Sequence, residues 1–232
     1  MKKIIILLAF LVQMFAQDLI KVGMSPGFAP FGYIKDDKVA GFDIDLVNEI
    51  ANILGIKIEF IPMDFDALMG ALKLGKINVI ASGLSNTPAR AKNVEFSKIY
   101  YRSQNYALKK SSRKDIDKLE GLEIGVQLGS IQAALVEKTP NTKAFLNPEI
   151  SNLFLALING KVDAVIVDKM VAKGYLQTYK ELEVFQKIVE ENDGVSFAFQ
   201  KGNFKLKNDF DYALDELIKN GKYDELLKKY DM

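Results

Sequence analysis

Val79-Ile-Ala-Ser-Gly-Leu-Ser-Asn-Thr-Pro-Ala-Arg90 decides how the rest of this chain is read. An apolar strand, Val79 to Ala81, runs straight into small hydroxylated residues, and a lone arginine follows five positions after Ser85. In an open α/β sheet, ligands lie beyond the carboxyl ends of the strands. Ser82, Gly83 and Ser85 would stand at such an edge, with Arg90 about a turn further on. A guanidinium fork suits a carboxylate, whereas hydroxyl and carbonyl oxygens suit an ammonium. This loop therefore offers partners to both poles of a zwitterion. The plain alternative, a capped loop with a surface arginine, stays open on these residues alone.

Upstream of that loop, strand-like and helix-like segments alternate. Residues 19–24 alternate into a strand that Ser25-Pro26-Gly27 breaks. Residues 31–37 read as one arm of a hairpin turned through Asp36-Asp37-Lys38. Asp43 can cap a helix whose Ile44, Val47, Ala51 and Leu54 share a face, with Gly55 as its stop. Residues 56–62 form the next strand. Phe65, Leu68, Met69 and Leu72 then fall at core-facing helical spacing up to Gly75, and 77–81 is a further strand. This βαβαβ order demands a parallel sheet covered by helices.

Downstream the pattern restarts. Residues 100–109 are extended and rich in tyrosine, and Lys109-Lys110 with Arg113-Lys114 reads as a solvated basic run. A short strand at 124–126 feeds Gly129-Ser130 and a helix from Ile131. Another helix covers 150–159, another buried strand 164–167, and 204–230 reads as two helices, the first with Phe210, Leu214 and Leu217 as its stripe. Two α/β lobes joined by extended crossings at 101–108 and 195–199 fit this order. Four polar or turn-forming groups then follow apolar strands directly: Ser25 to Phe28, Ser82 to Ser85, Gln127 to Ser130, and Asp168. A cleft between two sheet edges would be lined by all four.

Composition narrows the chemistry. Of 232 residues, 31 are Lys or Arg and 30 are Asp or Glu, a formal net charge of +1 that gives no footprint for nucleic acid. The chain contains no histidine and no cysteine. That removes the commonest general base, the commonest metal ligand, any thiol nucleophile and any disulfide framework. No metal, cofactor or catalytic residue is expected. Met1-Lys2-Lys3 followed by about a dozen mostly apolar residues reads as a secretory signal, too short to span a bilayer, with cleavage after Ala16. The rest carries no run of spanning length.

At these residues the chain resembles the small periplasmic solute-binding proteins that deliver polar amino acids to ABC importers (solute-binding protein family 3). The resemblance rests on Gly41-Phe42-Asp43-Ile44-Asp45-Leu46 with Ile50-Ala51, and on Phe28-Ala29-Pro30-Phe31 before it. It continues through Met63-Asp64-Phe65-Asp66-Ala67-Leu68, the 82–90 loop, 125–130, Asp163-Ala164-Val165 and Gly221-Lys222-Tyr223, over about 18–232. It implies an α/β, two-lobed periplasmic-binding-protein fold of type II, each lobe a mostly parallel sheet flanked by helices, joined by two hinge crossings. The implied division is a signal peptide at 1–17, one lobe from 18–106 and 198–232, and the other from 107–197.

By position, the resemblance implies that Arg90 binds the carboxylate of a free amino acid, helped by backbone N–H groups near Ser85 and Ile131 at a helix start. Ser130 and Ile131 start that helix, whose free N–H groups favour an anion; the Gly83 carbonyl, the Ser85 hydroxyl and Asp168 would receive the ammonium, with Phe28 and Phe65 against the ligand side chain. Each has a rival reading: Phe28 and Phe65 as core aromatics, Asp168 and Ser130 as helix caps. Ser25, Gln127 and Val167 hold the positions expected to meet the ligand side chain. Basic-amino-acid binders usually carry an acidic residue where this chain has Ser25. An unpaired charge in a drained cleft costs several kcal/mol, so a neutral side chain is expected. The implied partner is an ABC permease at the inner membrane, with a monomeric, periplasmic protein that lacks the cysteine of a lipoprotein. Competing functions are a cyclohexadienyl (arogenate/prephenate) dehydratase-like enzyme using Asp168 or Tyr101, and a ligand-sensing surface protein.

Overall fold

The alternation of strands and helices is realised as two five-stranded sheets, in a computed structural model that describes residues 19–189 and 194–232. The expected signal peptide at 1–17 lies outside the described residues. In the first sheet Lys57–Pro62, Leu19–Met24 and Val79–Ile80 run parallel, followed by Ala198–Gln200 and Val94–Phe96. Ala198–Gln200 is antiparallel to both of its neighbours. The second sheet repeats the plan. Lys143–Asn147, Glu123–Gln127 and Ala164–Asp168 are parallel, and Asn105–Lys110 runs antiparallel between Ala164–Asp168 and Leu182–Ile188. The expected α/β fold of two mostly parallel sheets is the observed one.

Both sheets are covered on both faces, so successive residues of one strand enter different cores. Val79 and Phe199 pack with Phe42, Leu46, Ile50, Phe210 and Leu214, while Ile80 and Ala198 pack with Leu68 and Leu72. Val165 and Leu108 meet Leu153, Phe154 and Leu157, while Ile166 and Ala107 meet Ala133 and Val136. The expected Phe210, Leu214 and Leu217 stripe is buried on Phe204–Lys219. The 36–38 hairpin turn forms because Asp36 and Asp37 both take positive φ, 49° and 58°, as a two-residue connection requires.

Three local readings need correction. Gly41, not Asp43, occupies the cap position of the Phe42–Leu54 helix, and it makes no side-chain cap bond. Asp43 sits inside the helix and is wholly buried, because its carboxylate has partners deeper in the fold than the helix end. Lys109 is not solvated: it is buried, and its ammonium donates to the carbonyls of Arg113 (2.9 Å) and Ile116 (2.6 Å). The first crossing is shorter than 101–108, because Asn105 already pairs with Asp168 inside the second sheet. What crosses is Tyr101–Arg102, laid antiparallel against Gly194–Val195.

Candidate functional site

The carboxyl ends of the parallel strands fix where polar groups collect. Gln127 ends Glu123–Gln127, Asp168 ends Ala164–Asp168, and the 82–90 loop leaves Val79–Ile80. These ends line one cavity that is partly open to solvent. Phe28, Phe65, Gly83, Ser85, Arg90, Gln127, Ser130, Ile131 and Asp168 all border it. Ser25 does not. It is buried, and its backbone N–H donates to the Ser82 hydroxyl at 2.9 Å, which ties the first strand to the loop.

Local sequence explains each placement. Thr87 caps the single turn Pro88–Ala91 by accepting from the Arg90 N–H at 3.3 Å, with proline at the position where its missing N–H costs nothing. That turn aims the Arg90 guanidinium back over its own loop. Nη1 donates to the Ser85 carbonyl at 3.0 Å, and Nη2 donates to the Gly129 carbonyl, also at 3.0 Å. The guanidinium carbon lies 5.7 Å from the centre of the Phe65 ring. Arg90 thus touches groups reached from both sheets. Burial lowers it to about 10, and it remains a cation at neutral pH.

Gly129 faces the first sheet's side closely. A Cβ there would stand 3.1 Å from the Asp66 Cβ, and the residue takes φ +76°. After it, Ser130 caps Ile131–Lys138 by accepting from the Ala133 N–H at 3.1 Å. Ile131 and Gln132, the first residues of that helix, border the cavity, and the N–H groups at a helix start favour an anion. Asp168 likewise caps Lys169–Thr178, Oδ1 accepting from the Met170 N–H at 2.7 Å. Both residues therefore cap a helix and border the cavity at once.

Asp168 is buried, and loss of hydration raises its carboxyl to about 6, against the opposing pull of the Ser103 hydroxyl and the Met170 and Val171 N–H groups. Tyr101 stands near enough for the Asp168 charge to raise its phenol further, beyond the effect of burial. Among the described residues neither Arg90 nor Asp168 is in an ion pair, and no other charged side chain borders the cavity. Gln127 donates from Nε2 to the Pro148 carbonyl at 3.0 Å. Val167 is buried core rather than lining.

Five lining residues were not legible as such: Ser103, Gln104, Asn105, Gln132 and Val195. Four of them lie on or beside the crossings, which sequence marked only as extended. Gln132 donates from Nε2 to Asn105 Oδ1 at 2.6 Å, both residues buried, which pins the helix start to the first residue of the Asn105–Lys110 strand.

Residues 20–231 match the family model of bacterial extracellular solute-binding proteins, family 3. The chain is 40% identical over 217 residues to the probable histidine-binding protein of Campylobacter jejuni, covering 92% of this chain and 85% of that protein. An ancestral arginine-binding protein bound to arginine superposes with a TM-score of 0.87 at 35% identity, covering 91% of this chain and 97% of that one. An ancestral arginine-binding protein bound to glutamine gives 0.84 at 36% identity, with the same coverage.

Proposed function

The chain belongs to the bacterial extracellular solute-binding proteins of family 3, and from that membership we propose that it captures one free L-amino acid in the cavity between its sheets and presents it to an ABC permease. One observation carries the reading: among the described residues one guanidinium and one carboxylate border one cavity, neither in an ion pair with another side chain. A zwitterion answers both. Its carboxylate takes Arg90 and the N–H groups at the start of Ile131–Lys138, and its ammonium takes Asp168, the Gly83 carbonyl and the Ser85 hydroxyl. Phe28 and Phe65 flank its side chain. Each charge-assisted bond is worth about 1.5–3 kcal/mol, so three or four supply most of the roughly 8 kcal/mol of a micromolar binder.

The side chain of the bound amino acid is neutral in this reading, because Arg90 and Asp168 are both spent on the two poles. Among the described lining residues a third ligand charge would meet neutral polar groups such as Gln127, Ser103, Asn105 and Gln132, and an uncompensated charge is costly in such a space. A cationic side chain is the second reading. It is favoured by the histidine and arginine of the relatives' names. The protein works in the periplasm as a monomer after export by the 1–17 leader, and it binds without turnover. Its lobes divide as 18–104 with 198–232, and 105–197, since Asn105 and Tyr106 pair with Asp168 and Val167 in the second sheet.

A melting-temperature screen against all twenty amino acids, followed by titration calorimetry on those that raise it, tests both levels. Stabilisation grows as ligand exceeds its dissociation constant. The largest shift is expected from a neutral amino acid such as L-glutamine. A tighter fit for L-arginine or L-lysine than for every neutral one overturns the side-chain reading. No shift with any amino acid overturns the function.

A further inference from the structure

Asp43 borders no part of the cavity, yet it is wholly buried beneath it and both of its oxygens are engaged. Oδ2 accepts from the Gly83 N–H at 2.7 Å, and Oδ1 accepts from the Tyr100 hydroxyl at 2.8 Å. Gly83 is the turn residue of the 82–90 loop. It takes φ +57°, and a Cβ on it would meet the Phe28 ring at 2.4 Å, so its backbone is gripped from both sides. Tyr100 stands where the crossings begin. Its N–H donates to the Val195 carbonyl at 2.9 Å, its carbonyl accepts from the Tyr223 hydroxyl, and its ring lies 4.5 Å from that of Phe197. One carboxylate therefore links the ammonium-receiving turn to both crossings.

We infer that Asp43 is a positioning residue, which holds Gly83 and the Tyr100 crossing in binding register and is coupled through Gly83 to the bound ammonium without touching it. The inference rests on the amino-acid-binding reading above. An ammonium on the Gly83 carbonyl places a positive charge on the residue whose N–H Asp43 already holds, and a nearby positive charge favours the ionised carboxyl.

The surroundings make that coupling measurable. No lysine or arginine among the described residues pairs with Asp43. The titratable groups that act on it are Tyr100 and, from the Lys222–Lys229 helix, Tyr223. On its own helix Asp45 faces Lys229 and Tyr230, and Glu49 faces Lys222. From Phe204–Lys219, Asp211 is taken by Lys207 and the Lys98 N–H. With burial unopposed by any cation, the carboxyl is pushed up to about 7, despite the bonds from Gly83 and Tyr100 that pull it down. Near neutral pH a fraction of the molecules then carries the proton, and binding an amino acid expels it.

Titration calorimetry with L-glutamine, L-histidine and L-arginine as separate probes, in pairs of buffers with different ionisation enthalpies, counts the protons exchanged on binding. Wild type is expected to release several tenths of a proton at pH 7 and almost none at pH 8.5. D43N keeps the shape, its Oδ1 accepting from Gly83 and its Nδ2 donating to the Tyr100 oxygen. It is expected to bind within about tenfold of wild type while losing most of the release at pH 7. The remainder, from Asp168, grows toward pH 6. Y100F keeps the carboxylate but strips one of its bonds, so its release maximum moves to higher pH; it gives an independent answer if D43N does not fold. Equal release by wild type and D43N, or an unmoved maximum in Y100F, overturns the role of Asp43 alone. If none of the three binds, the amino acid that most raises the wild-type melting temperature replaces them; failure of every amino acid to bind wild type overturns the underlying reading along with it.

Discussion

Replacing Asp168 with asparagine should stabilise the unliganded protein while crippling its binding. The carboxyl is buried and, among the described residues, has no ion-pair partner, and desolvation lifts it from 3.8 to about 6. Between those values the folded state binds more protons than the unfolded one, so unfolding free energy falls as pH rises through the window. A shift of about two units is worth about 3 kcal/mol once both states are ionised. Asparagine has the same shape, can accept from the Met170 N–H as a good helix cap, and carries no charge to desolvate. D168N is therefore expected to gain up to about 3 kcal/mol at pH 7.5, shrinking to about 1 kcal/mol at pH 4.5, where the wild-type group is itself protonated. For a chain of this length each kcal/mol moves the melting temperature by roughly 2–4 °C.

Urea denaturation of both proteins, free of amino acid, at pH 7.5 and 4.5 measures the two differences directly. Calorimetry at pH 7.5 reads the other half of the bargain. The lost charge-assisted bond should weaken amino-acid binding by about 10- to 150-fold, or roughly 1.5–3 kcal/mol. A D168N protein no more stable than wild type at pH 7.5, or one whose advantage does not depend on pH, refutes the argument that this aspartate is held ready, at a cost, for a cation.

Two further substitutions probe the opposite pole and the turn. Arg90→Ala removes a two-pronged donor and its link to the Gly129 carbonyl, so the loss should reach about 3–6 kcal/mol, taking a micromolar binder out of calorimetric range; micromolar binding retained by the variant would count decisively against the assignment. Gly83→Ala forces a left-handed backbone onto alanine and drives its Cβ into Phe28, with an expected loss of about 1–3 kcal/mol in stability and a larger fractional loss in affinity than in melting temperature. A G83A protein that melts and binds like wild type would show that the turn has slack the packing does not reveal.

Periodicity and punctuation carried most of the fold. The stripe of Phe210, Leu214 and Leu217 has one helical reading, residues 19–24 alternate as a strand does, and the apolar runs at 79–81 and 164–167 are too short and too β-branched for anything but buried strands. What sequence could not separate was the antiparallel complement. Residues 100–109 look uniformly extended, yet Tyr101–Arg102 crosses between the sheets while Asn105–Lys110 is inserted into one of them. Strand register depends on partners distant in the chain, here Val165 to Asp168 and Leu182 to Ile188. The buried Lys109 failed to announce itself for the same reason. A lysine in a basic run looks solvated until the chain folds the Arg113 and Ile116 carbonyls onto it.

The candidate site divides along the same line, and the division has a physical cause. Residues that follow a parallel strand directly, such as Ser85, Gln127, Ser130 and Asp168, were legible because the sheet rule alone places strand ends together. Ser103, Gln104 and Val195 border the cavity from beside the crossings, and Asn105 from its pairing with Asp168, and nothing in their spacing says so. Asp43 is the sharpest case. Its position after Gly41-Phe42 looks like a helix start, where an aspartate ordinarily serves the helix's own N–H groups. The structure turns it inward to an N–H forty residues away, because the 82–90 loop needs a tight left-handed glycine and a buried amide there must find an acceptor. A ligand loop that is both sharply turned and buried creates orphan donors, and the charged group that answers them comes to share the loop's dependence on what the loop binds.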